Sequence, residues 1–424
     1  MGSLDLETIQ GNIVPGFSKD YQAFVLVGVQ GAGPGRAWLG ALQAELTPAT
    51  EVQRFKQTFS ELRARSPHQG EHDAGALRHL SATWVNVALS FAGVQLLGGA
   101  SAVAGLPTTF RGNRVPGVAA AAQPEVHAML IVGADRLQDL EDELGHQRQR
   151  FSDMGVTEVQ TLRGATLPGD LRGHEHFGFK DGISQPRIAG TDWGKGAEVA
   201  AGEFILGYPD QTQQVSGATL PAWMQNGSFL AFLQLQQHVA TFWKAMAQQA
   251  EGLGVQPEVL ASWLVGRTEA GDKVSKPPSR LSHIGRSYSR WLAPSEALRH
   301  RIIRRGVPYG PPWTPGEADG AADRGLLFVA YQADLERQFE HVWTKWLGDA
   351  NFPQPGAGTD SLVGQTSAVQ PGISAPWTAA ITRPTAVTRA DQMGGLASLR
   401  LPSFVTPQYG GYFFSPAIGT AFGS

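Results

Sequence analysis

Val126–Leu162 reads VHAMLIVGADRLQDLEDELGHQRQRFSDMGVTEVQTL. Val126–Val132 (VHAMLIV) is a strand-length run of apolar and β-favouring residues. Asp135–Phe151 sets apolar residues on one face and acidic residues early, the pattern of a helix. Val156–Leu162 is a second strand. A strand, a helix and a strand in this order form one half of a split β-α-β unit.

Towards the N-terminus the other half is present. Tyr21–Val29 (YQAFVLVGV) is rich in β-formers, and Thr83–Leu89 (TWVNVAL) alternates as a strand does. Arg36–Leu46 and Glu51–Arg65 between them read as helices. Thr50 caps the second, or Thr47 does if Pro48 opens it. Gln69–Ala76 is a polar connection, and Phe91–Leu97 a short helix ended by Gly98-Gly99. The order β-α-β-β-α-β is ferredoxin-like, an antiparallel sheet with helices on one face.

Towards the C-terminus, Gly164–Pro186 reads as loop and Glu203–Leu206 as a short strand. Ser228–Leu235 (SFLAFLQL) is a strand, followed by helices Val239–Ala250 and Pro257–Val265. Gly325–Tyr331 (GLLFVAY) reads as a strand buried on both faces, and Leu335–Leu347 as an amphipathic helix. Residues 348–405 are rich in Gly and Pro with weak periodicity, and Gly411–Ser415 (GYFFS) reads as a closing strand. The second half repeats the element order loosely, without a direct sequence repeat. The expectation is an α+β protein of two ferredoxin-like units, each an antiparallel β-sheet with packed helices, divided into residues 1–165 and 166–424.

Composition narrows the function. At 42% hydrophobic and 17% charged residues the chain is globular. A net charge of −3 and the lack of any basic block give no sign of a nucleic-acid or anionic-membrane partner. There is no cysteine, which excludes disulfides, thiolate haem ligands and Cys-held clusters. Any metal must be held by His or oxygen ligands. The first residues, MGSLDLETIQGN, show no basic-then-apolar signal pattern, and no run approaches the roughly 18 apolar residues of a membrane helix. A cytoplasmic protein is expected, or a secreted one whose signal has been removed.

Three stretches carry candidate chemistry. His174–Arg187, HEHFGFKDGISQPR, holds Asp181 between Gly178 and Gly182, with aromatics before it and Pro186 after. The glycines permit a tight turn and close approach to something bulky. Taken alone, an Asp in an ordinary turn explains it as well. His174 and His176 either meet a ligand there or bond the local backbone. SHIGRSYSR (282–290) offers His283, which by itself reads as structural or as a metal ligand. IIRRGVPYG (302–310) pairs two arginines with Gly and Pro-Tyr-Gly, and a surface salt bridge is the plain reading.

In this order the three stretches closely resemble the dye-decolourising peroxidase family of haem proteins. GFKDGISQP matches its Gly-x-x-Asp-Gly motif, and the likeness extends through IQGNIVPGF, EFILGYPD, GLLFVAYQADLERQFEHVW and GGYFFSPA. The chain length resembles the larger subclasses. The resemblance implies haem b in the C-terminal half, with His283 as axial iron ligand, Asp181 as distal acid/base and Arg304 as distal arginine. Arg304 is preferred to Arg305 because the family's arginine follows the apolar pair, here Ile302-Ile303. On extended chain Arg305 then faces the other way. The resemblance further implies cofactor contacts from Arg290, Ile183, Gln185, Leu326 and Phe328. Leu326 and Phe328, two residues apart, share one side of a strand. Two departures stand out. The family's proximal segment commonly ends Asn-Pro-Arg, where this chain has Tyr288-Ser289-Arg290. Some members carry Asn where this chain has Gly306.

The physical case is separate from the name. Ferric haem needs a basic axial donor, and a neutral imidazole is one. Peroxide must lose a proton from one oxygen and gain one on the other, which an ionised Asp181 can shuttle. Arg304 can stabilise charge developing on the leaving oxygen. A carboxylate base has an unperturbed pKa of about 3.9, so activity should be highest in mild acid. Flat or rising activity up to about pH 8 would count against Asp181. Hydrogen peroxide and small aromatic reductants, dyes or phenols, are the expected partners, with surface Trp or Tyr as electron relays for bulky ones. The alternative is a haem-binding or haem-handling protein with incidental peroxidase activity. A third possibility is an α+β pair without cofactor. The sequence does not indicate an oligomeric state.

Overall fold

The computed structural model describes residues 3–65, 80–118, 125–194, 196–274, 280–289, 291–355, 357–364, 377–382 and 396–422. Thirteen strands are defined among them: β1 Tyr21–Val29, β2 Thr83–Leu89, β3 Ala128–Ala134, β4 Val156–Ala165, β5 Arg187–Ile188, β6 Glu198–Val199, β7 Ser228–Gln237, β8 Ile303–Arg304, β9 Val307–Tyr309, β10 Gly325–Gln332, β11 Trp377–Thr382, β12 Leu396–Leu401 and β13 Val405–Ser415. Nine of them make one antiparallel sheet in the order β4-β1-β3-β2-β13-β7-β10-β8, with β9 also on β10.

The two expected units are visible in that order. In the first half the strands run fourth, first, third, second, and helices Ala32–Leu42 and Leu137–Met154 are the crossovers. The second half repeats it, with β13 fourth, β7 first, β10 third and β8/β9 second. The halves join where Phe414 of β13 pairs with Leu89 of β2. The sheet curls until its outer strands meet. A Cβ on Gly164 of β4 would lie 2.3 Å from the Val307 side chain and 2.9 Å from Pro308 O, so only glycine permits this approach.

Strand alternation sorts the core into two clusters. Phe24, Leu26, Met129, Ile131, Phe232, Leu327, Val329 and Phe413 face inward, where Ile9, Ile13, Val14 and Phe17 of the N-terminal segment pack among them. Val25, Val27, Val87, Leu130, Leu233 and Leu235 face outward, under the helices. Both faces of the strands are therefore apolar, and GLLFVAY reads as it does for that reason. Phe24 and Phe232, one from each half, meet at 5.4 Å inside the curl. Truncating either to Ala should cost about 3–5 kcal/mol.

Two elements differ from expectation. Glu203–Leu206 is not a strand: Ala201–Glu203 forms a 3₁₀ turn, and Phe204, Ile205 and Leu206 are buried in loop. A short apolar run does not distinguish these cases. The helix that opens at Phe91 is broken at Gly99, φ +66°, as the Gly98-Gly99 pair predicts, and a further helical turn runs on to Val103. Leu335–Leu347 is a π-helix, with Asp334 accepting from Arg337 N at its start. The Gln69–Ala76 connection lies outside the described residues. No helix among the described residues is long and apolar enough to cross a membrane.

Candidate active site

A cavity opens on the outward face of the second-half sheet. Its floor is Leu233 and Leu235 of β7 with Leu326 and Phe328 of β10. The pairing register sets Leu235 opposite Leu326 and Leu233 opposite Phe328, so the four form one apolar patch. The π-helix closes a side with Phe339, Val342, Trp343 and Leu347. Phe339, Trp343 and Leu347 are four residues apart, a spacing the wide π turn keeps on one face.

His283 lines this cavity. It is the first residue of the short helix His283–Tyr288, capped by Ser282 accepting from Gly285 N at 3.0 Å. Its Nδ1 lies 3.1 Å from Asp360 Oδ1, and the Asp360 side chain is fully buried. The same oxygen accepts from Leu362 N and Val363 N. Burial pushes the Asp360 carboxyl up, but His283, the Val363 amide and Arg286 together hold it below the usual carboxylate range. With Nδ1 committed, Nε2 is the ring nitrogen left for a ligand. Asp360 was not legible as a site residue, because it lies in the Gly/Pro-rich tract of weak periodicity. The one available signal is a lone acid within GAGTDSLVG.

Asp181, Gly182, Ile183 and Ser184 also line the cavity, as do Arg304 and Gly306. Gly182 N donates to Asp181 Oδ1 at 2.6 Å, and Asp181 N donates to Gly173 O at 3.0 Å. Gly178 and Gly182 take φ of +98° and +74°, which glycine adopts without strain. Arg304 Nη1 stands 3.5 Å from Asp181 Oδ1, with side-chain exposures of 34% and 37%. A pair that long and that exposed contributes no more than about 1 kcal/mol, so neither group is consumed in holding the fold. Arg304 pairs across to Ala330 on β10, while Arg305 turns away from the cavity to the carbonyls of Asn12 and Ile13. At Gly306 an added Cβ would sit 2.9 Å from Leu327 O, so this backbone has no room for a side chain.

Other expected residues sit elsewhere. Gln185 does not line the cavity; its amide is engaged by the backbone of Arg304. Arg290 lies outside the described residues. His174 and His176 are not on the cavity wall: His174 Nδ1 meets Arg172 O, and buried His176 uses Nε2 on Tyr309 O at 2.8 Å. Among the lining residues that the sequence reading did not single out are Glu175, Arg267, His300 and Arg301. Glu175 accepts from Phe177 N and Phe179 N, each at 2.9 Å, and from Gln237 Nε2 at 2.5 Å. Burial pushes its carboxyl up to about 7. Arg267 Nη2 donates to Ser184 Oγ at 3.1 Å, fastening a neighbouring loop to the Asp181 turn.

These residues fit an iron porphyrin. One imidazole with its second nitrogen anchored is a suitable donor, and apolar walls suit a flat macrocycle. A carboxylate and a guanidinium on the same cavity suit a small polar oxidant.

Residues 175–352 match the family model for the C-terminal part of the Dyp-type peroxidases. The dye-decolorizing peroxidase msp1 of Mycetinis scorodonius is 28% identical over 98% of this chain and 86% of its own length. The multifunctional dye peroxidase DyP2 of Amycolatopsis is 26% identical over 97% of this chain and 94% of its own. Among solved structures, an ancestral D-type dye-decolorizing peroxidase superposes with a TM-score of 0.81 at 28% identity, covering 99% of this chain and 98% of that one. A dye-decolorizing peroxidase solved with 2,6-dimethoxyphenol superposes at 0.73 and 25% identity, covering 99% of each chain. Over nearly its whole length the chain is similar to dye-decolorizing peroxidases, and its residues 175–352 match the Dyp-type peroxidase model.

Proposed function

We propose that this chain reduces hydrogen peroxide in the cavity described above, with haem b bound there and phenols, dyes or other small aromatics as reductants. The observation that carries this is that His283, anchored by Asp360, lines the same cavity as Asp181 and Arg304. The solved relative with 2,6-dimethoxyphenol supports a phenolic reductant.

His283 would hold the iron through Nε2, and Leu326, Phe328 and Ile183 would pack on the macrocycle. Arg290 is the family's propionate position; Arg301 and Arg267 are described cations on the same cavity. Bound haem supplies a Lewis-acidic iron and one-electron redox chemistry. Asp181 takes a proton from one peroxide oxygen and delivers it to the other. Its long contact with Arg304 leaves a carboxylate oxygen accessible for that transfer. Arg304 stabilises the negative charge that builds on the departing oxygen. With a division near residue 165, where β4 ends, the whole site would fall in the second unit.

The test is an absorbance spectrum of haem-loaded protein before and after one equivalent of hydrogen peroxide. The expected result is a Soret band that shifts promptly in the wild type and in no more than trace amounts in Asp181→Asn and Arg304→Leu. A band that only bleaches slowly would favour haem handling. No Soret band after haem is added would overturn His283 as the ligand.

A further inference from the structure

The backbone of Arg304 is gripped by the side chains of Gln185, 119 positions away, and of its neighbour Arg305. Gln185 Nε2 donates to Arg304 O at 2.8 Å, and Arg304 N donates to Gln185 Oε1 at 3.2 Å. One side-chain amide thus pairs with both polar groups of a single residue, as an adjoining strand would. Arg304 O also accepts from Arg305 Nη1 at 3.2 Å. The rest of the Arg305 guanidinium reaches the N-terminal loop, with Nε on Asn12 O at 3.1 Å and Nη2 on Ile13 O at 2.9 Å. The loop comes so close that a Cβ on Gly16, at φ +90°, would lie 2.0 Å from Arg305 Nε. No ion pair among the described residues involves Arg305; its recorded hydrogen-bond partners are backbone carbonyls.

Such a grip has a physical reason. β8 is only two residues long and lies at the edge of the sheet path, so ladder bonds alone hold it weakly. The aim of a long side chain follows the backbone that carries it. A displacement of about 1 Å at a reacting group can cost about 10²-fold in rate. Gln185 is four residues from Asp181, on the same turn.

We infer that Gln185 and Arg305 are positioning residues for Arg304: Gln185 locks the arginine's backbone to the turn that carries Asp181, and Arg305 locks it to the N-terminal loop inside the curled sheet. This rests on Arg304 acting on peroxide, as proposed above. It gives the N-terminal segment Gln10–Phe17 a part in the chemistry of the second half. It also explains why the amide of Gln185 is turned to the backbone instead of the cavity.

The test is a double-mutant cycle on haem-loaded protein, with the rate of reaction with hydrogen peroxide as one readout and hydrogen exchange at the Arg304 amide as the other. Gln185→Met keeps the length and removes both bonds. It should slow the peroxide reaction by about 10- to 100-fold with the KM for reductant unchanged. It should speed exchange at Arg304 while Val329 and Ala330 of β10 stay protected. In an Arg304→Leu background it should add no further loss, because coupled residues do not contribute independently. Arg305→Lys, which keeps the charge and loses the fork, goes through the same cycle and covers a Gln185→Met that fails to fold. Losses that multiply in the double mutant, or unchanged Arg304 exchange, would overturn the inference. A wild-type rate in Arg304→Leu alone would instead overturn the site assignment, and the exchange result would still decide whether Gln185 holds this backbone.

Discussion

The two sides of the cavity are built in opposite ways. On the His283 side a fully buried carboxylate fixes the imidazole, and a capped helix and the π-helix stand behind it. On the Asp181 side the groups sit on loops and a two-residue strand, with about a third of each side chain exposed. The first arrangement suits a permanent ligand bond whose imidazole must stay oriented. The second suits proton exchange, which needs an acid that water and a small oxidant can reach. The lesson is that stability and turnover are assigned to different walls, and substitutions should separate them.

His283→Ala is the strongest way to break the comparison. It should abolish the Soret band at one equivalent of haem, whereas Asp181→Asn and Arg304→Leu should keep it. The latter two should instead slow the peroxide reaction, by about 10²–10⁴-fold for the proton shuttle and about 10²–10³-fold for the charge stabiliser. A normal Soret band in His283→Ala would mean that the walls have been assigned the wrong way round.

Asp360→Asn tests it on the His283 side. The substitution keeps the shape and removes the charge that orients His283. Haem affinity or activity should fall about 10- to 100-fold, measured by haem titration and steady-state rate. An unchanged affinity and rate would reduce Asp360 to a loop-capping residue for Leu362 N and Val363 N.

The smallest effect concerns pH and stability. Burial raises Glu175 to about 7, while burial lowers His176 to about 4. An acid whose folded pKa is raised subtracts stability as pH climbs from its unfolded value of 4.5 to about 7. A histidine whose folded pKa is lowered adds stability as pH climbs from about 4 to its unfolded 6.5. The neighbours therefore oppose each other across most of that window. Glu175→Gln should make stability rise more steeply with pH between about 4.5 and 6.5, read as denaturation midpoints at several pH values. An unchanged slope would show that Glu175 is ionised throughout.

Much of this was legible before any coordinates. Thr83–Leu89 and Pro257–Val265 begin and end where expected, because alternation and a proline at the first helical turn are local signals. The strand–helix order of the first half implied its sheet order. Arg304 was preferred to Arg305 because in the resembling motif the arginine follows the apolar pair, and extended-chain alternation then turns Arg305 the other way. Phe204–Leu206 misled, since a buried apolar run looks the same in a strand and in a core-lining loop.

The order of the elements was legible in the residues, and the resemblance of three short motifs pointed to His283, Asp181 and Arg304 as candidates, because periodicity, turn chemistry and motifs are written in neighbouring residues. Only the tertiary structure decided that the two sheets join edge to edge and curl until Gly164 meets Val307. It also decided that Asp360 lies behind His283, 77 positions away, and that Gln185 serves the backbone of Arg304, 119 positions away. Those partnerships depend on which loops the curl brings together, and no local pattern encodes a contact across that distance.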